Sequence, residues 1–328
     1  MNGTHPHQTT EQPRLLADIG GTNARFAWQA HAGAAIEDQI TLPCANYPTV
    51  EAAVRDYLGR IRREPPQVCG MAIANPVVGD QVRMTNHHWS FSISALREAL
   101  GWRRLEVLND FTALALALPH LGADELHMIG GGAALPGAAI GLLGPGTGLG
   151  VSGLLPDGRG GWVPLQGEGG HVSLAPVGAR EQWVVRALHE RHGHASAERA
   201  VSGMGLVAIH HALCQADGVK PPEPWSAADV TAAALAGGDT RCQEALSMMC
   251  AFLGSVAGNL ALTLGAKGGI YIGGGIVPRL GAWFARSPFR ERFEAKGRFQ
   301  PYLAEIPTWV IQSQHPPALR GAAEALDR

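Results

Sequence analysis

Apolar positions in this chain fall in short runs, and glycine separates several of them. Arg14-Leu-Leu-Ala-Asp18 and Arg25-Phe-Ala-Trp28 predict two strands joined through Ile-Gly-Gly-Thr, a hairpin turned on glycine. Residues 68–74 and 81–84 predict two more strands. Ser92 then opens a helix with Ile93, Leu96 and Leu100 on one face, and Gly101 ends it. Leu105 to Leu108 predicts a strand, and Phe111 to Leu118 a helix stopped by Pro119. Strands, helix, strand, helix is an α/β order. A second strand–glycine–strand unit follows, residues 138–143, Gly-Pro-Gly-Thr-Gly and 149–155. It repeats the first in form and points to two domains on one plan. Beyond it the pattern turns helical. Glu181 to His192 is one helix, and the uncharged run 245–266 is another that feeds a strand at 269–273. Residues 221–225 form a Pro-rich loop, 308–311 a strand and 318–326 a closing helix.

Composition narrows the class. At roughly 100–200 residues per domain, 328 residues make two domains, and 46% hydrophobic content supplies a substantial core. A formal charge of −2 without a basic block gives no sign of a nucleic-acid partner. Five cysteines, none in a CxxC pair, fit free thiols in a reducing compartment, the cytoplasm. Residues 1–13 are polar and lack the apolar segment of a secretion signal, so they predict a loose tail. Residues 245–266 are long enough to cross a bilayer. Ser247, Ser255, Asn259, Thr263 and three glycines dilute the run, and it has no aromatic belt. A helix buried in a soluble domain is the expectation, with no membrane.

Candidate chemistry sits at the junctions. In ADIGGTNAR, Gly20 and Gly21 expose backbone N–H groups which, with the Thr22 hydroxyl, suit a phosphate. Asp18 before them could hold Mg²⁺ through water; an ordinary hairpin turn is the alternative. GPGTGLG, with Gly146 and Thr147, is a second such loop, and two loops in separate halves suit a nucleotide clamped between domains. Gly148 to Gly153 also matches GxGxxG, with Glu168 downstream. A dinucleotide fingerprint must open a helix, however, and the Pro/Gly-broken residues after it do not. Glu168 and His171, three apart among glycines, suit hydroxyl recognition. A metal site is the rival there, but no HExxH occurs, and the histidines at 87–88, 189, 192, 194 and 210–211 are scattered without a cysteine cluster. Ser196 and Glu198 read as a helix start. Gly274 and Gly275, after a strand, allow close approach of a flat ring such as adenine, or merely a tight crossover. Asn109 and Asp110 stand between a strand and a helix, where α/β sheets line their ligand sites; Asp110 would also serve as a helix cap.

Taken in order, DIGGTNAR, MTNHHW, LNDFTA, GPGTGLG, GEGGH, SAERAVSG and GGGIVPRL resemble the bacterial glucokinase family, from Asp18 to about Gly275. That family shares its fold with hexokinases, actin and heat-shock chaperone ATPases. The resemblance implies a two-domain actin-like ATPase (ribonuclease H-like) fold with an interdomain cleft that closes on sugar. The small domain is expected at 14–120 plus about 312–328, the large one at 121–311. It implies an ATP:hexose 6-phosphotransferase acting on glucose with ATP and Mg²⁺, cytoplasmic, in glycolysis, as a homodimer. Asp110 matches the catalytic base and Asn109 a sugar ligand. Gly148 matches a backbone contact to the sugar, and Glu168, His171 and Glu198 match further sugar ligands. Ala17, Asp18, Ile19, Gly20, Gly21 and Thr22 match the ATP-phosphate segment. The zinc-binding CxCGxxGC motif of a related group of sugar kinases and repressors is absent, and the tail is too short for the repressors' helix-turn-helix. A kinase of mannose, fructose or an N-acetylhexosamine stays open, as does a sugar sensor without catalysis.

Overall fold

The computed structural model describes residues 12–84, 87–221 and 225–328. Most of the expected tail, Thr85 and Asn86 of the MTNHHW motif, and residues 222–224 of the Pro-rich loop lie outside the described residues. The chain divides into two compact units, 1–121 with 313–328, and 122–312.

The first unit opens with β1 (Arg14–Ile19), β2 (Asn23–Gln29), β3 (Ile36–Pro43), α1 (Val50–Ile61) and β4 (Val68–Ile73). It continues with β5 (Gln81–Arg83), β6 (Ser90–Ser92), α2 (Ile93–Ala99), β7 (Arg104–Asn109) and α3 (Asp110–Ala117). The main sheet runs β3-β2-β1-β4-β7, with β5 and β6 paired apart. β1 pairs antiparallel with β2 and parallel with β4, and β4 pairs parallel with β7. Ile19, Ile73 and Asn109 therefore stand in register at the carboxyl ends of three parallel strands. β1 packs on both faces, as central parallel strands do. Leu15, Ala17 and Ile19 join Phe26, Val54 and Tyr57 in one core, while Leu16 joins Val68 and Leu319 in another. α1 forms because Thr49 caps it, accepting from the Ala52 amide at 3.1 Å. Val50, Ala53, Val54 and Tyr57 then turn one stripe inward.

The second unit contains β8 (Leu126–Gly130), β9 (Ile140–Pro145), β10 (Leu149–Pro156), β11 (Trp162–Pro164), α4 (Ala179–His192) and α5 (Gly203–Ala216). After them come α6 (Ala227–Ala236), α7 (Thr240–Leu264), β12 (Ile270–Ile272) and α8 (Val277–Leu280). α9 (Ala282–Ala285), α10 (Phe289–Glu294), α11 (Gln300–Ala304) and β13 (Thr308–Ile311) complete it. Its sheet runs β11-β10-β9-β12-β13-β8. Again an antiparallel hairpin, β9–β10, is followed by parallel neighbours, β12 and β13. Each unit is thus a ribonuclease H-like sheet, the plan of actin-like ATPases. α7 is the core helix. Among the described residues it alone is long and apolar enough to cross a membrane, and 78% of its apolar window is buried inside the protein. The chain finally rejoins the first unit as α12 (Pro317–Leu326). There Arg14, almost wholly buried, pairs with Asp327 at 2.6 Å, and the Arg104 guanidinium donates to the Leu326 carbonyl at 2.9 Å.

Two expectations are corrected, and a third holds. α3 starts at Asp110, one residue early, and its cap is Asn109, whose Oδ1 accepts from the Phe111 and Thr112 amides. Glu198 does not lie on a helix. Ser196 instead bridges to Ser173, and the next helix starts later, capped by Ser202. Ala197, Ala200 and Val201 are drawn into the core, which overrides the helix-start signature. GxGxxG runs into β10 and opens no helix, so the dinucleotide alternative is excluded by the backbone.

Candidate active site

In the first unit the site residues gather at the carboxyl edge of the sheet. β7 ends on Asn109, so the next residue, Asp110, leaves the strand at the edge where open α/β sheets bind ligands. Asp110 Oδ1 accepts from its neighbours, the Phe111 amide at 2.9 Å and Asn109 Nδ2 at 3.1 Å. Neither bond uses Oδ2. Asn109 is in turn held through Nδ2 by the Asn75 carbonyl at 3.4 Å. Burial, and after it the negative charge of Asp18, push the Asp110 carboxyl up to about 6. Asp18, two strands away, accepts from Arg25 Nη1 at 3.0 Å. Burial raises its carboxyl too, against the pull of Arg25.

The glycine turn after β1 is narrower as an anion cradle than the sequence predicts. The Gly20 amide is committed to the Asn23 carbonyl at 2.9 Å, closing the hairpin itself. The Thr22 carbonyl accepts from Cys44 at 2.9 Å, which leaves its exposed side chain at the tip. Gly21 and Thr22 are the part of the Ala17–Thr22 segment that faces outward; Ala17 and Ile19 are core.

In the second unit four of the motifs meet. The Glu198 amide donates to the Gly170 carbonyl at 2.8 Å, tying SAERAVSG to GEGGH. Glu198 Oε2 accepts from the Leu149 amide at 3.0 Å, tying both to GPGTGLG. The carboxylate lies directly over Gly148, so a Cβ there would push the Glu198 carboxylate out of its place. The Gly203 amide reaches the Gly146 carbonyl at 2.9 Å, and the Ile276 amide the Pro145 carbonyl at 3.3 Å, which places Gly274 and Gly275 beside the same loop. Glu168 and His171 bracket a short 3₁₀ turn, the His171 amide donating to the Glu168 carbonyl at 3.0 Å, and both side chains are exposed. Thr147 is the exposed tip of its hairpin.

Beside these loops is a cavity of about 640 Å³ lined by Gly146, Thr147, Glu198, Arg199, Trp225 and Ile276 among others. Arg191 and Arg199 bring positive charge to it, and Met204, Val207 and Trp225 an apolar wall. Sequence reading misses these residues. Arg199, next to Glu198, carries a signal; the apolar wall has none, because its residues read as ordinary helix and loop positions.

The two sheets give the chain the actin-like ATPase fold, with carboxylates and glycine hairpins at their edges. Comparison with known proteins narrows this. The family described as Glucokinase matches residues 15–328. The glucokinase of Chromobacterium violaceum is 56% identical over 96% of this chain and 89% of its own length. That of Aromatoleum aromaticum is 55% identical over 96% and 95%. A crystal structure of a glucokinase from an Antarctic psychrotroph superposes with a TM-score of 0.87 at 36% identity, covering 96% of this chain and 98% of that one. The chain belongs to the glucokinase family of hexose-phosphorylating kinases.

Proposed function

We propose that the protein transfers the terminal phosphoryl group of ATP to the 6-hydroxyl of glucose, with Asp110 as general base. One observation supports this most: a carboxylate at the carboxyl edge of a parallel sheet, with one oxygen anchored by the Phe111 amide and the other uncommitted to it. In the proposed step Asp110 takes the proton of the 6-hydroxyl. The freed oxygen attacks the terminal phosphorus, and the bond to the departing ADP oxygen breaks. A base whose carboxyl titrates near 6 is ionised at neutral pH yet retains affinity for a proton.

The remaining roles follow the motif match. Asn109 and, in the second unit, Gly148, Glu168, His171 and Glu198 would hold the sugar hydroxyls. Glu198 is pre-set for this by its bond to the Leu149 amide. From the Ala17–Thr22 segment, the outward-facing Gly21 and Thr22, with Gly146 and Thr147, would hold the phosphates; Gly274, Gly275 and the cavity beside them would hold the purine. Asp18 and Asp110 offer hard oxygen donors close enough to feel each other's charge, a donor set that fits magnesium. Asp18 would hold that ion through water, and the ion would neutralise phosphate charge. Mutual positioning of sugar and phosphate then supplies most of the acceleration.

The proposal extends to the cytoplasm, to the first step of glucose breakdown and to a homodimer, with no nucleic-acid partner. Five free, buried thiols support a reducing compartment; the family resemblance supports the dimer. The test is a coupled ADP-release assay with glucose, mannose, fructose and N-acetylglucosamine. Glucose is expected to give the highest kcat/KM, with phosphate on the 6-oxygen by NMR. ADP release indifferent to sugar would overturn the reading.

A further inference from the structure

Away from these loops the second unit assembles a cluster that the phosphoryl transfer does not use. The sequence shows scattered histidines and no cysteine cluster, but the fold makes one. His210 and Cys214 lie one turn apart on α5, so they share a face. Asp239 caps α7, and Cys242 is in the first turn of that helix. α5 packs against α7, and the two pairs converge. A ring nitrogen of His210, a carboxylate oxygen of Asp239 and Cys242 Sγ all lie within 4.8 Å of one another. Cys214 Sγ is 3.6 Å from His210 Nε2.

We propose that His210, Cys214, Asp239 and Cys242 form a binding site for a thiophilic divalent cation, zinc above all, that fastens α5 to the start of α7.

The geometry fits the ion. Zinc bonds of about 2.3 Å to sulfur and about 2.0–2.1 Å to nitrogen, at tetrahedral angles, set the two ligand atoms about 3.6 Å apart. That is the separation of Cys214 Sγ and His210 Nε2. His210, Asp239 and Cys242 already lie within 4.8 Å of one another; Cys214 stands outside that group and would move in to complete the tetrahedron. Two thiolates, an imidazole and a carboxylate are also the ligand types zinc prefers over harder cations.

The surroundings point the same way. His210 is 1% exposed, and its Nδ1 has no hydrogen-bond partner. Trp225 stacks on the imidazole at 5.2 Å with an interplanar angle of 11°, fixing its plane. Asp239 Oδ1 is spent on the Arg241 and Cys242 amides, which orients the carboxylate. Arg241 pairs with Asp217 at 3.0 Å, and its positive charge is felt at both His210 and Cys214.

Burial keeps His210 neutral, the form that binds metal, and keeps both thiols protonated. Binding therefore exchanges two thiol protons for the ion, with no change of oxidation state. The site lies one residue behind His211, which lines the cavity together with Trp225; its role is to brace that wall, not to take part in catalysis.

The test uses the full chain, stripped of metal by a chelator. Adding Co²⁺ should give a thiolate-to-cobalt charge-transfer band that saturates at one ion per chain. Zn²⁺ should abolish the band, raise the Tm and release two protons per ion. Cys214→Ser and Cys242→Ser should each lose the band and the zinc-dependent rise in Tm, while Cys44→Ser keeps both. Absence of the band and of proton release in the wild-type chain would overturn the proposal whatever the variants do. So would folded Cys214→Ser and Cys242→Ser chains that bind cobalt as the wild type does. None of these readouts depends on glucose phosphorylation, so the site stands or falls separately from the proposed activity.

Discussion

Asp110 is placed at an energetic disadvantage. Its carboxyl titrates near 6 in the folded chain, above its ordinary value of 3.8. A group raised in this way favours folding while protonated, and that contribution is lost as pH rises through 6. At neutral pH the ionised carboxylate therefore costs on the order of 3 kcal/mol, taking about 1.4 kcal/mol for each tenfold change in proton affinity. Asp110→Asn keeps the acceptor for the Phe111 amide and removes the charge. It should be more stable to urea than the wild type at pH 7, with the difference shrinking toward zero near pH 4. In the wild type, kcat/KM should fall tenfold per pH unit below about 6, as the base is protonated. Equal urea midpoints at pH 7, or a flat acid limb, would count against this placement. Gly148 makes a similar point through space rather than charge. A Cβ there meets the Glu198 carboxylate, so Gly148→Ala should raise the KM for glucose about tenfold or more, the equivalent of one hydrogen bond, with Tm little changed. The sequence displays both residues, since a charge between apolar runs and a glycine in a hairpin stand out. It does not display the seat of the Glu198 carboxylate on the Leu149 amide, because that contact joins residues 49 positions apart.

At the scale of elements, the helix that opens on Asp110 is held by the far end of the chain. α12 packs on α3, β4 and β1. Gly321 sits so close to the Ala113 carbonyl that no side chain fits between them. Gly321→Ala must push α12 off α3 and should cost about 1–3 kcal/mol of stability in urea unfolding, with a larger relative loss of kcat than of glucose binding. No loss of stability would mean that the two helices can part without strain. The glycine hairpins, the strand before Asp110 and the last strand and helix were legible because hydrophobic runs there end in glycine or proline. β3 was not, since an edge strand with exposed Glu37, Asp38 and Gln39 lacks the alternation of a half-buried one. α1 carries a clear stripe and a Thr49 cap and is readable in principle. Glu198 shows the opposite failure: a good local helix start yields to the burial of Ala197, Ala200 and Val201.

The whole molecule is two ribonuclease H-like units, and the proposed chemistry divides its residues between them. Asp110 and Asn109 belong to the first unit; Gly148, Glu168, His171 and Glu198 belong to the second. Such a division would make binding and chemistry separable by mutation, since most of the proposed sugar ligands are on the unit that lacks the proposed base. The most direct measurement is therefore glucose binding by calorimetry beside ADP release for Asp110→Asn. Turnover should fall by roughly 10²–10⁴ while glucose still binds with near wild-type affinity. Turnover close to that of the wild type would contradict the assignment of Asp110 as the base.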